Sequence, residues 1–383
     1  MTMPEQFESP RAALSDEALA SLSAALAESA ERYDRSGDFP HANFRLLADA
    51  GLLALTVPVE HGGQGATLAE VRRVIGAVAR GEPSTALILA MQYLQQLELH
   101  ASPRWPAELK RRLARGAIEH GELINALRVE PDLGTPLRGG VPATTARRSG
   151  DHWVISGVKR YSTGFPGLSW LNVWAASDDP DPLVGFWLVP AASPGISVSE
   201  RWDHLGMRAT NSHDVRFDEV EVPLDHAVDV RPLSELVPSQ GDKTLWLNVL
   251  LSTLYDAIAR NARDCFRDWL QSRVPTNLGA PLASLPRFQE VLGRIDGLLF
   301  SNRVLLEAGE RDELDGVEAA QLKRLVCEQA IEAVSIAIEA SGNPGLSRRS
   351  ALERHYRDVL CARIHSPQAD IVLVQAGKAA LRR

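Results

Sequence analysis

The sequence predicts a helical N-terminal domain, a central antiparallel β-domain and a C-terminal four-helix bundle, with boundaries expected at 1–122, 123–230 and 231–383. Three textures predict it: helical apolar spacing at the start, short β-rich runs punctuated by Gly, Pro and Asp in the middle, and long apolar-faced helical stretches to the end. In the first zone Leu19, Leu22 and Leu26 follow at helical intervals behind Asp16 and Glu17, which suit a first turn. "FRLLADAGLLAL" closes a helix at Gly51, and the glycine-rich "VPVEHGGQGATLAE" ends on an N-cap at Thr67. In the middle zone "HWVISG", "LNVWAA", "LVGFWLVP" and "DVRFDEVEVP" read as strands, the last with Val215, Phe217, Val220 and Val222 as its apolar positions. No helical stretch separates these runs, which argues against a parallel βαβ sheet and for a barrel or sandwich. From Leu233 the helical pattern returns. Phe288, Val291, Leu292, Ile295, Leu298 and Leu299 form one stripe, and "QLKRLVCEQAIEAVSIAIEASG" stops at Gly342.

Composition excludes several classes. A net charge of −8 without a basic run argues against nucleic acid as a partner. Cys265, Cys327 and Cys361 show no paired spacing, so neither a disulfide framework nor a metal site is indicated. No apolar run reaches the roughly 18 residues that a membrane span needs, and no basic-then-apolar leader opens the chain. A cytoplasmic location and no membrane partner are expected.

Read singly, the chemical motifs leave alternatives open. "EHGGQGA" does not follow a clear strand, so a loop turn is a better reading than a dinucleotide site. In "LRVEPDLGTPLRGG" the backbone N–H groups around Gly134 and Thr135 could meet an anion or a polar ring edge, or belong to an ordinary loop. "KRYSTG" sets two hydroxyls beside an aromatic at a strand end, to line a flat ligand or to cap the strand. Arg208, Thr210, Ser212 and His213 precede a strand, where a hydrogen-bonded turn is the default. In "RIHSPQAD" a histidine, a hydroxyl and a proline stand together as His365, Ser366 and Pro367, with no carboxylate beside them. Such a histidine is more often satisfied or exposed than a base.

The order of these motifs resembles the acyl-CoA dehydrogenase superfamily of flavoproteins over nearly the whole chain. "FPHANFRLLADAGLLALTVPVEHGGQGA" is similar to its N-terminal stretch, and "LGMRATNSHDVRFDEVEVP" to its "LGMR-x-T-x-S-x-D-V" segment. Val129-Glu130-Pro131 and Gly134-Thr135-Pro136 stand where that family has its Thr-Glu-Pro and Gly-Ser-Asp flavin loop. Tyr161-Ser162-Thr163 occupy the turn that lies against the isoalloxazine, "SGNPGL" with Gly342 and Asn343 resembles the turn near the cofactor's diphosphate, and Arg357-Asp358 its Arg-Asp. The resemblance implies FAD, with FMN as the alternative, held by Leu127, Val129, Gly134, Thr135, Tyr161, Ser162, Thr163, Arg273, Gly342 and Asn343. It also implies a small-molecule substrate, with Gln92 and Trp246 as expected contacts, and a homotetramer or homodimer.

The departures concern chemistry. Dehydrogenation of an acyl thioester needs a carboxylate to take the α-proton. At the usual place of that glutamate stands Ser366, and at its other known place, on the first bundle helix, stands Leu247. Asp242 and Asp256 lie nearby in sequence but off the required face by helical spacing. Branches without the glutamate include two-component flavin monooxygenases, served by a separate flavin reductase. Their equivalent stretch often has a histidine before a small or acidic residue and proline, much as His365-Ser366-Pro367 here. His365 and Ser366 are therefore the expected catalytic pair, with His365 able to act on a phenol or beside the flavin. Gln92 stands where such enzymes often carry a second histidine, and the aromatic of the adenine-reaching Arg-x-x-Phe-Gly is lost in "SRVPTNLG", leaving Arg273. Desaturation with a non-standard base, and a non-catalytic flavin-binding partner subunit, are the alternative readings.

Overall fold

The computed structural model describes residues 12–132, 141–200, 202–235, 242–311 and 313–382. Five helices open it: α1 (Asp16–Ser36), α2 (His41–Asp49), α3 (Leu68–Gly81), α4 (Pro83–Ala101) and α5 (Ala107–Glu119). Their ends follow from local chemistry. Ser15 Oγ accepts the Ala18 N–H at the start of α1, and Thr67 with Glu70 forms a reciprocal capping box on α3. Glu82 caps α4 by accepting from the N–H groups of Ser84 and Thr85. The glycine-rich loop before α3 folds back on itself, with Gly65 N–H donating to Val57 O at 2.8 Å. A Cβ on Gly63 would lie 2.2 Å from that same carbonyl oxygen, so only glycine allows the close return.

The central strands are β1 (Leu123–Leu127), β2 (Thr145–Ser149), β3 (His152–Ser162), β4 (Leu168–Ser177), β5 (Leu183–Pro190), β6 (Ile196–Glu200), β7 (His213–Pro223) and β8 (Arg231–Pro232). They form one sheet in the order β6-β7-β3-β2-β4-β5-β8, with β1 added on β4. Most pairings are antiparallel, as expected, but β1–β4 and β2–β4 are parallel. Alternation of side chains has period 2 in either direction, so a strand's sequence does not record the direction of its neighbour.

The C-terminal helices are α6 (Asp242–Ser272), α7 (Pro286–Glu310), α8 (Gly316–Ser341), α9 (Ala351–Leu360) and α10 (Ala369–Ala380). α6 and α8 pack on each other and on both α7 and α9, and α10 lies against α8. α8 ends at Gly342, whose φ of 63° suits a residue without a Cβ. α6 also packs on α3 and α4, so the two helical parts share a core containing Val71, Val78, Leu254 and Ile258. Among the described residues no helix is long and apolar enough to cross a membrane, and no group of three metal-ligating side chains occurs.

One core residue makes stability depend on pH. His355 on α9 is buried, and among the described residues neither ring nitrogen has a hydrogen-bond partner. Burial first, then the Arg354 and Arg80 charges, push it down to about 3. The unfolded chain protonates its histidines near pH 6.5, so this contribution to stability is present above that pH and is lost as pH falls toward 3. The expected result is that the urea midpoint of the wild type, measured relative to His355→Gln, declines steadily between pH 7 and pH 4. A constant difference between the two proteins would contradict it.

Candidate functional site

Glu130, in the segment after β1, is a structural brace. Its carboxylate accepts from the N–H of Ala143 at 2.7 Å, the N–H of Thr144 at 3.0 Å and Lys159 Nζ at 2.6 Å. Lys159, on β3, is fully buried and also donates to the Trp174 carbonyl. Burial pulls its ammonium down to about 8, and the Glu130 carboxylate opposes that pull. The charge pair joins both sides of the 130–144 loop to the sheet, and Arg160 N–H donating to Val129 O fastens the same segment. Leu127 and Val129 are thereby fixed. Gly134 and Thr135 lie outside the described residues.

The turn after β3 gathers hydroxyls. Thr163 Oγ1 meets Ser212 Oγ at 2.9 Å, and Ser212 Oγ meets Thr210 Oγ1 at 2.9 Å. Asn125 of β1 donates to the Thr163 carbonyl, and Gly164 N–H donates to Thr210 O. A Cβ on Gly164 would come within 2.9 Å of Ile88, so glycine lets the turn approach α4. Tyr161 takes the left-handed conformation, φ 54°, and keeps half its surface exposed. Its ring stands edge-on to Trp202 and His204, which stack with centroids 3.4 Å apart. Ser162 Oγ is buried and, among the described residues, has no partner. A buried free hydroxyl beside an open aromatic and a row of hydroxyls fits a flat ligand with a polar edge.

Arg357 and Asp358, at the end of α9, fasten the bundle to the sheet. Asp358 Oδ1 accepts from Met207 N–H at 2.7 Å, and Arg357 pairs with Asp34 and Glu353 while donating to Leu205 O. Burial raises Asp358 to about 7, against the pull of the Met207 N–H. A Cβ on Gly206 would sit 2.3 Å from Arg357 O, so the loop reaches α9 only because it carries glycine there. Arg208 extends the joint by donating to Asp34 O.

His365 stands seven residues beyond Asp358, in the turn between α9 and α10. Its Nδ1 lies 2.5 Å from the hydroxyl of Tyr255, a fully buried residue of α6. Lys323 of α8 donates to three carbonyls of the turn: Ala362 at 3.1 Å, His365 at 2.7 Å and Pro367 at 3.1 Å. His365 is half-buried, and burial followed by the Lys323 charge lowers it to about 4. Ser366 is half-buried beside it. Of the carboxylates that could stand in for the absent glutamate, Asp256 is tied to Arg260 and Asn302, and Asp358 to Met207.

The other expected contacts lie on several elements. Gln92 is buried on α4, where its amide accepts from Ile124 N–H at 2.8 Å and donates toward Leu53 O and Glu122 O. Trp246 packs partly buried against the main core. Arg273 is exposed just beyond α6, and Gly342 and Asn343 are exposed at the end of α8. The structure also adds groups that the sequence reading passed over. Lys159 sits at an inward register of β3 with Ile155, and Lys323 on the stripe of Cys327, Ala330 and Val334, so a charge in a buried period was the available signal for both. Tyr255 gave none, being one more aromatic in an apolar helix.

Comparison with known proteins places these features in context. Residues 10–117, 128–220 and 257–368 match the family models "Acyl-CoA dehydrogenase, N-terminal domain", "middle domain" and "C-terminal domain". A putative acyl-CoA dehydrogenase of Bacillus subtilis, YdbM, is 30% identical over 357 residues, covering 91% of each chain. Among solved structures, KijD3 in complex with FMN and a dTDP-linked amino-keto sugar superposes with a TM-score of 0.82 at 27% identity, covering 97% of this chain and 93% of that one. FMN-bound TdsC from Paenibacillus superposes with a TM-score of 0.84 over 97% of each chain, at 22% identity, a likeness of fold.

Proposed function

The chain belongs to the acyl-CoA dehydrogenase family, and within it we propose that it oxygenates a small organic substrate rather than desaturating an acyl thioester. The cofactor is a flavin, FAD by family usage, with FMN the form named in the structures of KijD3 and TdsC. The backbone of Leu127 and Val129 and the Tyr161-Ser162-Thr163 turn would hold it, Ser162 Oγ being a buried hydroxyl without a partner among the described residues. When bound, the flavin supplies the redox chemistry, and the protein supplies orientation and hydrogen bonds. A separate reductase would deliver reducing equivalents, and a homotetramer or homodimer would form through the bundle.

The observation that carries this reading is the His365 turn. Its side chains offer an imidazole and a hydroxyl where desaturation calls for a carboxylate, and Asp256 and Asp358 are engaged elsewhere. The likeness to YdbM favours the second reading, desaturation with another base. Anaerobic mixing of the oxidised holoprotein with acyl-CoA thioesters of graded chain length distinguishes them. Without a positioned carboxylate, bleaching of the flavin band should be slower by about 10²–10⁴ than a base-assisted reaction. Rapid bleaching by any member of the panel would establish desaturation. A yellow protein inert in this assay, and forming no oxygenated product when supplied with reduced flavin and oxygen, would be a partner subunit.

A further inference from the structure

We infer that Tyr255 is a positioning residue that fixes His365 as the Nε2–H tautomer, so that the imidazole presents a hydrogen-bond donor, not a base, on its outward nitrogen. The inference rests on the reading that His365 serves the reaction, and it changes what His365 does there. Tyr255 is fully buried, and among the described residues its hydroxyl has one partner, His365 Nδ1 at 2.5 Å. If Nδ1 carried the proton, the phenolic hydrogen would be buried without an acceptor. If the phenol donates, both groups are satisfied, an advantage of roughly tenfold or more for that arrangement. Nδ1 then has no proton, and a neutral ring must carry it on Nε2.

The surroundings keep the ring neutral. Facing the Tyr255–His365 pair are Lys323 and Cys327 from α8, Asp358 from α9 and Cys361 beyond it. Lys323 spends its three donors on the carbonyls of Ala362, His365 and Pro367, so its charge stays beside the imidazole and opposes protonation. Burial holds the Tyr255 phenol well above its usual range, which keeps it a donor. Nε2 makes no hydrogen bond among the described residues, and the residue is half-buried, so its N–H is left for a ligand. An N–H in that place recognises an oxygen carrying negative or partial negative charge, such as a phenolate or a carbonyl oxygen. It cannot remove a proton from carbon.

The test uses the full-length flavin-loaded protein labelled with ¹⁵N-histidine. Long-range proton–nitrogen correlation spectra report which ring nitrogen is protonated, and the His365 signals are assigned by their loss in His365→Gln. The expected pattern is a protonated Nε2 and a bare Nδ1, unchanged from pH 6 to pH 8. Tyr255→Phe keeps the buried ring volume, and it should convert this pattern to a tautomer mixture with flavin affinity unchanged. An Nδ1–H pattern in the wild type, or an identical spectrum in Tyr255→Phe, overturns the inference. Failure of the parent reading looks different: the Nε2–H pattern would stand while His365→Gln and His365→Ala both kept full substrate-dependent oxygen uptake and product formation. That result removes His365 from the reaction and with it the donor role.

Discussion

Lys159→Met is expected to lower the unfolding free energy by about 3–5 kcal/mol, because it strands the buried Glu130 charge. The two N–H donors from Ala143 and Thr144 remain, which places the loss toward the lower end of that range. Equilibrium urea unfolding checks it, with Glu130→Gln/Lys159→Met as the control. Removing both charges leaves no unpaired ion, so the double variant should regain most of the lost stability. If the single and double variants were equally unstable, packing of the Lys159 stem rather than the charge pair would be what holds the loop.

His365→Ala is expected to reduce substrate-dependent oxygen uptake by about 10²–10⁴, measured with whichever of a panel of phenols and indoles the wild type consumes fastest. Flavin affinity should be retained, since Leu127, Val129 and the Tyr161 turn are held by β1 and β3 rather than by the bundle. Stability should fall by about 1–3 kcal/mol, because the Tyr255 hydroxyl loses its partner inside the protein. The double variant His365→Ala/Tyr255→Phe separates the two effects. It removes the orphaned hydroxyl and should recover stability while uptake stays low. Recovery of uptake together with stability would mean that His365 serves the fold alone.

The three-part architecture was legible in the sequence because it rests on local periodicity. The stripe on α7, the cap at Thr67 and the stop at Gly342 are consequences of residues within a few positions of each other. The turns at Tyr161–Thr163 and His365 were singled out by the resemblance of the motif order to a known family, not by periodicity. Partner choice was decided only in three dimensions. Glu130 reads as part of a flavin loop, yet its carboxylate is spent on Lys159, 29 positions away. Asp358 looks available and is committed to Met207 N–H across 151 positions. His365 reads as a base, while a tyrosine 110 positions earlier sets which of its nitrogens faces outward. Spacing along a chain records which face of a helix or strand is buried. It does not record what waits on the other side of that face, and a hydrogen bond of less than 3 Å is decided there.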